Sequence, residues 1–99
     1  MKGFRRDPER TELRVLRRRI PLKGTRILEI GCGDGRLTRR IAPLARAVVA
    51  TDPNAAFIAR AKELTPASLR ARVRYRVTAA EDLRLPDQRF DVAILSWSL

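Results

Sequence analysis

The sequence predicts a doubly wound parallel α/β sheet, and three observations carry that prediction. Short apolar runs alternate along the chain with segments of helical spacing. The first run, Ile27-Leu28-Glu29-Ile30, passes directly into glycines at alternate positions, Gly31, Gly33 and Gly35. Asp52 closes a second apolar run about 20 residues later, where nucleotide-binding α/β folds hold ribose hydroxyls. Right-handed crossovers between parallel strands then allow the doubly wound arrangement.

Each element follows from its local pattern. Residues 1–22 read as an N-terminal helical segment, with Asp7 as N-cap and Pro8 at the first helical position. Leu13, Leu16 and Ile20 share one face of it, arginines surround that face, and Pro21 ends it. Residues 23–99 form the main domain. Strand one covers 25–30. The next helix buries Leu37, Ile41 and Leu44, and Pro43 limits its length. Strand two covers 46–51. Asn54 to Leu64 is a second crossover helix with Phe57, Ile58, Ala61 and Leu64 inward and Asn54 as its cap. Val73, Tyr75 and Val77 alternate with Arg72, Arg74 and Arg76, which predicts a half-exposed strand at a sheet edge. Residues 90–97 are almost continuously apolar, which predicts a central strand covered on both faces.

Composition bounds the function. A chain of 99 residues holds one small domain, and a hydrophobic share of 44% suits a packed core. Lysine and arginine number 22 against 11 acids, a net charge of +11. Such a charge attracts polyanions. The basic residues are scattered along the chain, however, and aromatic content is 5%, so no stacking platform for nucleic acid is visible. A solvated basic surface is the expectation. One cysteine and no histidine exclude a disulfide framework, a zinc cluster within the chain and a histidine-based triad. No apolar run approaches the ~20 residues of a membrane span, and no apolar segment follows the N-terminal charges. A cytoplasmic location is expected.

The glycine turn decides which ligand to expect. Glycines allow a sharp turn and let a ligand approach the main chain without a Cβ in the way. The N–H groups at the following helix start favour polar ligand atoms. A dinucleotide fingerprint needs Gly or Ala at its sixth position, and Arg36 stands there, so an NAD-dependent oxidoreductase fits poorly. The Gly-Lys-Ser/Thr of a phosphate-binding loop is absent.

The spacing of Gly31, Gly33 and Gly35 after Glu29 instead resembles motif I of class I S-adenosylmethionine-dependent methyltransferases. That cofactor carries a ribose and an adenine but no phosphate. The resemblance extends from about Lys23 to Leu99. Val48 to Asn54 resembles the family's second strand, Ala79 to Asp87 the loop that passes the adenine, and Phe90 to Trp97 the fourth strand. In flavour it is similar to the small-molecule enzymes that include ubiquinone and menaquinone biosynthesis methyltransferases. The family's sheet has the order 3-2-1-4-5-7-6. The resemblance therefore implies a Rossmann-like doubly wound sheet truncated after the fourth strand, order 3-2-1-4, without the later strands that carry much of the acceptor site.

The resemblance also implies roles. Glu29 helps hold the cofactor's ammonium, often through water. Gly31 and Gly33 give backbone access, with Cys32 a small side chain between them rather than a nucleophile. Asp34 is a cofactor contact or a turn residue. Asp52 accepts the ribose hydroxyls, followed by Pro53. Ala79 stands where many relatives place Asp or Asn for the adenine amino group, leaving backbone groups of Ala80, and Glu81 or Asp82, for that task. Ser96 lies close to the cofactor after strand four. The Asp/Asn-Pro-Pro-aromatic motif of amino-group methylation is absent from Ser96-Trp97-Ser98-Leu99, which argues against methylation of a base. No catalytic base and no metal is implied. The expected function is the cofactor-binding portion of a methyltransferase acting on a small-molecule acceptor. The alternative is a non-catalytic cofactor-binding or scaffolding module that needs a partner chain. Self-association or a completing chain is expected at the strand-four edge.

Overall fold

The computed structural model describes residues 22–83 and 90–96. The expected N-terminal helix, the middle of the loop before strand four and Trp97 lie outside the described residues. Among the described residues are four strands: β1 (Arg26–Ile30), β2 (Ala47–Asp52), β3 (Val73–Val77) and β4 (Val92–Leu95). All pair in parallel in the order β3-β2-β1-β4. The crossover helices are α1 (Arg36–Ile41) and α2 (Ala55–Leu64). This is the expected Rossmann-like α/β order.

Register explains the core. Ile27 pairs with Val48 and Val92, and Val48 pairs with Val73, so four β-branched side chains form one row across one face. Ile27 and Val48 are almost wholly buried. Leu37 and Ile41 of α1 and Ile58 of α2 join the same cluster. Burying a side chain of this size contributes roughly 1.5–3 kcal/mol. The next row on that face is Glu29, Ala50, Tyr75 and Ile94, which places polar groups one step nearer the strands' carboxyl ends.

The helix ends match their local chemistry. Asn54 caps α2, its Oδ1 accepting from the Phe57 N–H at 3.1 Å. Gly35 opens α1 at φ +83°, a left-handed conformation that glycine adopts readily. Arg39 and Arg40 in the last turn of α1 suit its negative end.

Three burial expectations are corrected. Phe57 is 44% and Leu64 39% exposed. In a ten-residue helix the sheet covers only a narrow stripe, and Ile58 and Ala61 fill it, leaving the flanking positions in solvent. Val77 is exposed although Val73 is buried, because α2 shelters the start of edge strand β3 and not its end. Ala93 is exposed between buried Val92 and Ile94, so β4 is covered on one face rather than two. Among the described residues β4 is an outer strand, and its second face meets solvent there.

Candidate cofactor site

The carboxyl ends of the parallel strands converge on the glycine turn. Gly31 N–H and Cys32 N–H both donate to the Thr51 carbonyl, at 2.8 and 2.9 Å, which ties the turn to the end of β2. The Ser96 N–H donates to the Ile30 carbonyl at 2.9 Å and the Thr78 N–H to the Asp52 carbonyl at 3.1 Å, so the segments after β4 and β3 reach the same end. Gly31, Gly33 and Gly35 have φ values of 82°, 56° and 83°, each in the left-handed region.

Asp52 is the hinge of the site. Its Oδ2 accepts from the Gly33 N–H and its Oδ1 from the Asn54 N–H, both at 2.9 Å. The acid and the glycine turn, separated by 19 residues, are thus in direct contact. A carboxylate has about four acceptor positions, so each oxygen retains capacity for a ligand donor. Pro53 beside it is exposed.

Beneath the turn lies a second carboxylate. Glu29 is fully buried, with Oε1 accepting from the Thr38 hydroxyl and Oε2 from the Ser96 hydroxyl, each at 2.5 Å. Ser96 Oγ also lies 3.3 Å from the Gly31 carbonyl oxygen. A buried charge is tolerable only when hydrogen-bonded in this way. Glu29 therefore links β1, α1 and the residue that follows β4.

The third glycine has a different task from the first two. A Cβ on Gly35 would stand 3.0 Å from the Tyr75 hydroxyl and 3.1 Å from the Ala61 side chain. Gly35 thus lets the turn pack against β3 and α2. Tyr75 is held by a 2.7 Å hydrogen bond to Thr65 Oγ1, and burial raises its pKa although that bond opposes the shift. Arg39 Nη1 donates to the Asp34 carbonyl at 2.6 Å. The Asp34 carboxylate is half-exposed and 3.9 Å from Arg36. Cys32 is buried. Burial pushes its thiol far up, and the Glu29 and Asp52 charges push in the same direction, which suits a packing residue rather than a nucleophile.

The residues expected beside an adenine lie in and just before a 3-10 turn, Ala80–Asp82, with Ala79 half-buried and Ala80 and Glu81 exposed. They follow Thr78 and so stand beside the Asp52 end of β2. Sequence reasoning missed Thr38, Thr51 and Tyr75. Thr38 carries a readable signal, a hydroxyl at a position whose neighbours Leu37 and Ile41 are core residues. A cavity of about 850 Å³ lies away from the glycine turn, with Lys62, Arg70, Arg74 and Arg76 in its wall. It contains none of the turn residues. Among the described residues no group of three His, Cys, Asp or Glu side chains is arranged to hold a metal, and no helix is long and apolar enough to cross a membrane.

Over residues 27–99 the chain matches the family described as "Methyltransferase domain". It belongs to the class I S-adenosylmethionine-dependent methyltransferases. The methyltransferase domain is 36% identical over 92 residues to the ubiquinone biosynthesis O-methyltransferase of Rhizobium rhizogenes, a match that takes in 93% of this chain and 34% of that protein. An S-adenosylmethionine dependent methyltransferase from Mesorhizobium loti is 30% identical with a TM-score of 0.72, over 85% of this chain and 38% of its own. Phosphoethanolamine N-methyltransferase 1 of Haemonchus contortus, solved with phosphoethanolamine and S-adenosylhomocysteine, is 27% identical with a TM-score of 0.74, over 85% of this chain and 18% of its own. The methyltransferase domain spans about a third of the length of the first of these curated relatives.

Proposed function

We propose that this methyltransferase domain binds S-adenosylmethionine at the carboxyl ends of β1, β2 and β4 for methyl transfer to a small-molecule acceptor. The observation that carries the reading is the direct contact between the Asp52 carboxylate and the Gly33 N–H. It joins a ribose-type acceptor to a turn that a ligand can approach closely. Asp52 accepts the ribose hydroxyls with its remaining acceptor capacity. Gly31 and Gly33 carry no Cβ to obstruct the ligand, and Cys32 packs beneath them. Asp34 and Pro53 border the ligand. Ala79, Ala80 and Glu81 lie beside the adenine, with main-chain groups of Ala80 serving where a side-chain amide is missing.

When bound, the cofactor supplies a methyl group already activated by a sulfonium charge. The residues of this chain bind and orient; alignment of the reacting atoms is the principal catalytic device. An oxygen nucleophile on the acceptor is supported by the name of the Rhizobium rhizogenes relative. A cytoplasmic site of action is part of the reading. A second reading is a cofactor-binding module that does not turn over by itself.

Mass spectrometry of the purified chain tests the first step, with co-purified S-adenosylhomocysteine or measurable binding of it expected. Failure of that ligand to bind at millimolar concentration overturns the proposal. Transfer of a labelled methyl group to a phenolic acceptor separates the enzyme from the binding module.

A further inference from the structure

The geometry points to the outer edge of β3 as a docking site for an acidic, extended peptide segment of a partner protein, which adds to the sheet as a further strand. The inference stands apart from the cofactor reading, since this edge holds none of the turn residues. Among the described residues β3 is the outer strand on its side of the sheet. The Arg72 carbonyl accepts from the Val48 N–H at 2.8 Å, and the Thr78 N–H donates to the Asp52 carbonyl at 3.1 Å, so the main chain of residues 72 and 78 faces β2. Main-chain groups of successive strand residues point to opposite sides. The N–H and C=O groups of Val73, Tyr75 and Val77 therefore point outward, away from β2, where no described strand pairs with them. An edge of this kind is a template for another strand. The cavity of about 850 Å³ runs along it. Residues 73–76 line it in succession, with Val49, in register with Arg74, from one face of the sheet and Thr65, bonded to Tyr75, from the other.

Charge selects the occupant. Lys62, Arg70, Arg74 and Arg76 border the cavity against one acid, Glu63, and all five are exposed. The side chains of Lys62, Arg74 and Arg76 make no hydrogen bond or ion pair with a described residue. Arg74 and Arg76 stand on the face opposite Tyr75, about 6.6–7 Å apart, which is the spacing of alternate residues in any added strand. Acids at alternate positions of that strand lie directly across from the two arginines, where opposite charges stabilise and like charges destabilise. On the other face, half-buried Tyr75 and exposed Val77 meet the intervening residues. A second copy of this chain is disfavoured, because its net charge is +11 and it sets arginine against arginine. A phosphodiester chain fits less well than a peptide. Its phosphates only accept hydrogen bonds, which leaves the outward carbonyls without donors. Tyr75, the one aromatic residue among the described lining, has its hydroxyl tied to Thr65, so a stacking platform is lacking. The arginines that keep like copies off the edge thus admit an acidic strand.

Titration of the full chain with a capped peptide in which glutamate alternates with threonine tests this, with amide exchange by NMR as a second readout. The peptide should bind and should slow exchange at Val73, Tyr75 and Val77. It should leave Arg74 and Arg76 unchanged, since their N–H groups already face β2. N-methylation of the peptide amides should weaken binding at least about tenfold. The double variant Arg74→Glu, Arg76→Glu should weaken it by at least about as much, and should bind the matching lysine–threonine peptide better than the parent does. Circular dichroism and a urea midpoint establish that the variant is folded; if it is not, Arg74→Gln with Arg76→Gln and the N-methylated peptide on the parent decide the same question. Equal binding of the native and N-methylated peptides overturns strand addition. Tighter binding of oligothymidylate than of the glutamate peptide overturns the choice of occupant, as does protection of the same three amides by concentrating the chain alone. Failure of the glutamate peptide to bind at millimolar concentration overturns the inference as a whole and leaves the cofactor reading standing.

Discussion

Replacing Asp52 by alanine should damage stability and ligand binding by amounts that the structure allows to be separated. The Asp52 carboxylate accepts two main-chain hydrogen bonds, from Gly33 and Asn54. Asn54 is exposed, so water replaces the lost acceptor there. Gly33 is buried, and its N–H would be left unsatisfied at a cost of about 1–3 kcal/mol. Loss of the charge-assisted bonds themselves brings the expected destabilisation to about 2–4 kcal/mol. That is a large part of the 5–15 kcal/mol typical of a domain, yet compatible with folding. Binding should fall independently, because in the proposed binding mode two ribose hydroxyls lose a charged acceptor. The expected loss is about 2–4 kcal/mol, or roughly 30- to 1,000-fold in affinity for S-adenosylhomocysteine. Urea unfolding measures the first quantity and calorimetric titration of the folded variant the second. Asp52→Asn sharpens the comparison. It keeps one oxygen for one main-chain donor and turns an NH₂ toward the other, donor against donor. An alanine variant with the parental urea midpoint and parental affinity would show that Asp52 neither braces the turn nor meets the ligand.

Three further expectations follow from particular contacts. Gly35→Ala should cost at least about 2 kcal/mol, because it combines a φ of +83° with crowding against Tyr75 and Ala61, whereas Gly24→Ala at φ +71° has open space and should cost only about 1–2 kcal/mol; equal urea midpoints for the two variants would refute the packing argument. Cys32 should react with iodoacetamide at pH 8 at least about tenfold more slowly in the native chain than in urea, since its thiol is buried and its pKa raised; equal rates would place it at an accessible surface. The outer edge of β4 should support self-association, read as a mass by light scattering that rises with concentration and falls back in Ala93→Lys; a monomer at every concentration would exclude that edge as a contact.

The alternating glycines and the acid at the end of β2 were legible because their meaning is local. Left-handed φ values at Gly31, Gly33 and Gly35 demand glycine whatever surrounds them, and Asp52 is placed by counting residues along a strand. The N-cap of α2, the four strands of the described region and their order followed from the same kind of pattern and from family resemblance. Burial of Phe57, Leu64 and Val77 was misjudged because a helical or alternating pattern names a direction and not the extent of the surface that covers it. The third glycine was legible as a turn residue, but its neighbours were not, since Tyr75 and Ala61 come from elements far along the chain.

The sequence by itself thus determined the elements of the described region, the parallel α/β class, the glycine turn and the acid at the end of β2, because each is read from a local pattern or from the order of such patterns along the chain. Only the tertiary structure decided how the polar groups are shared. It brings Thr38 and Ser96, 58 positions apart, onto the two oxygens of one buried Glu29. It also closes Asp52 onto the Gly33 N–H. The physical reason is that a hydrogen bond needs its partners within about 3 Å, and parallel pairing of β1 with β2 and β4 is what supplies that proximity.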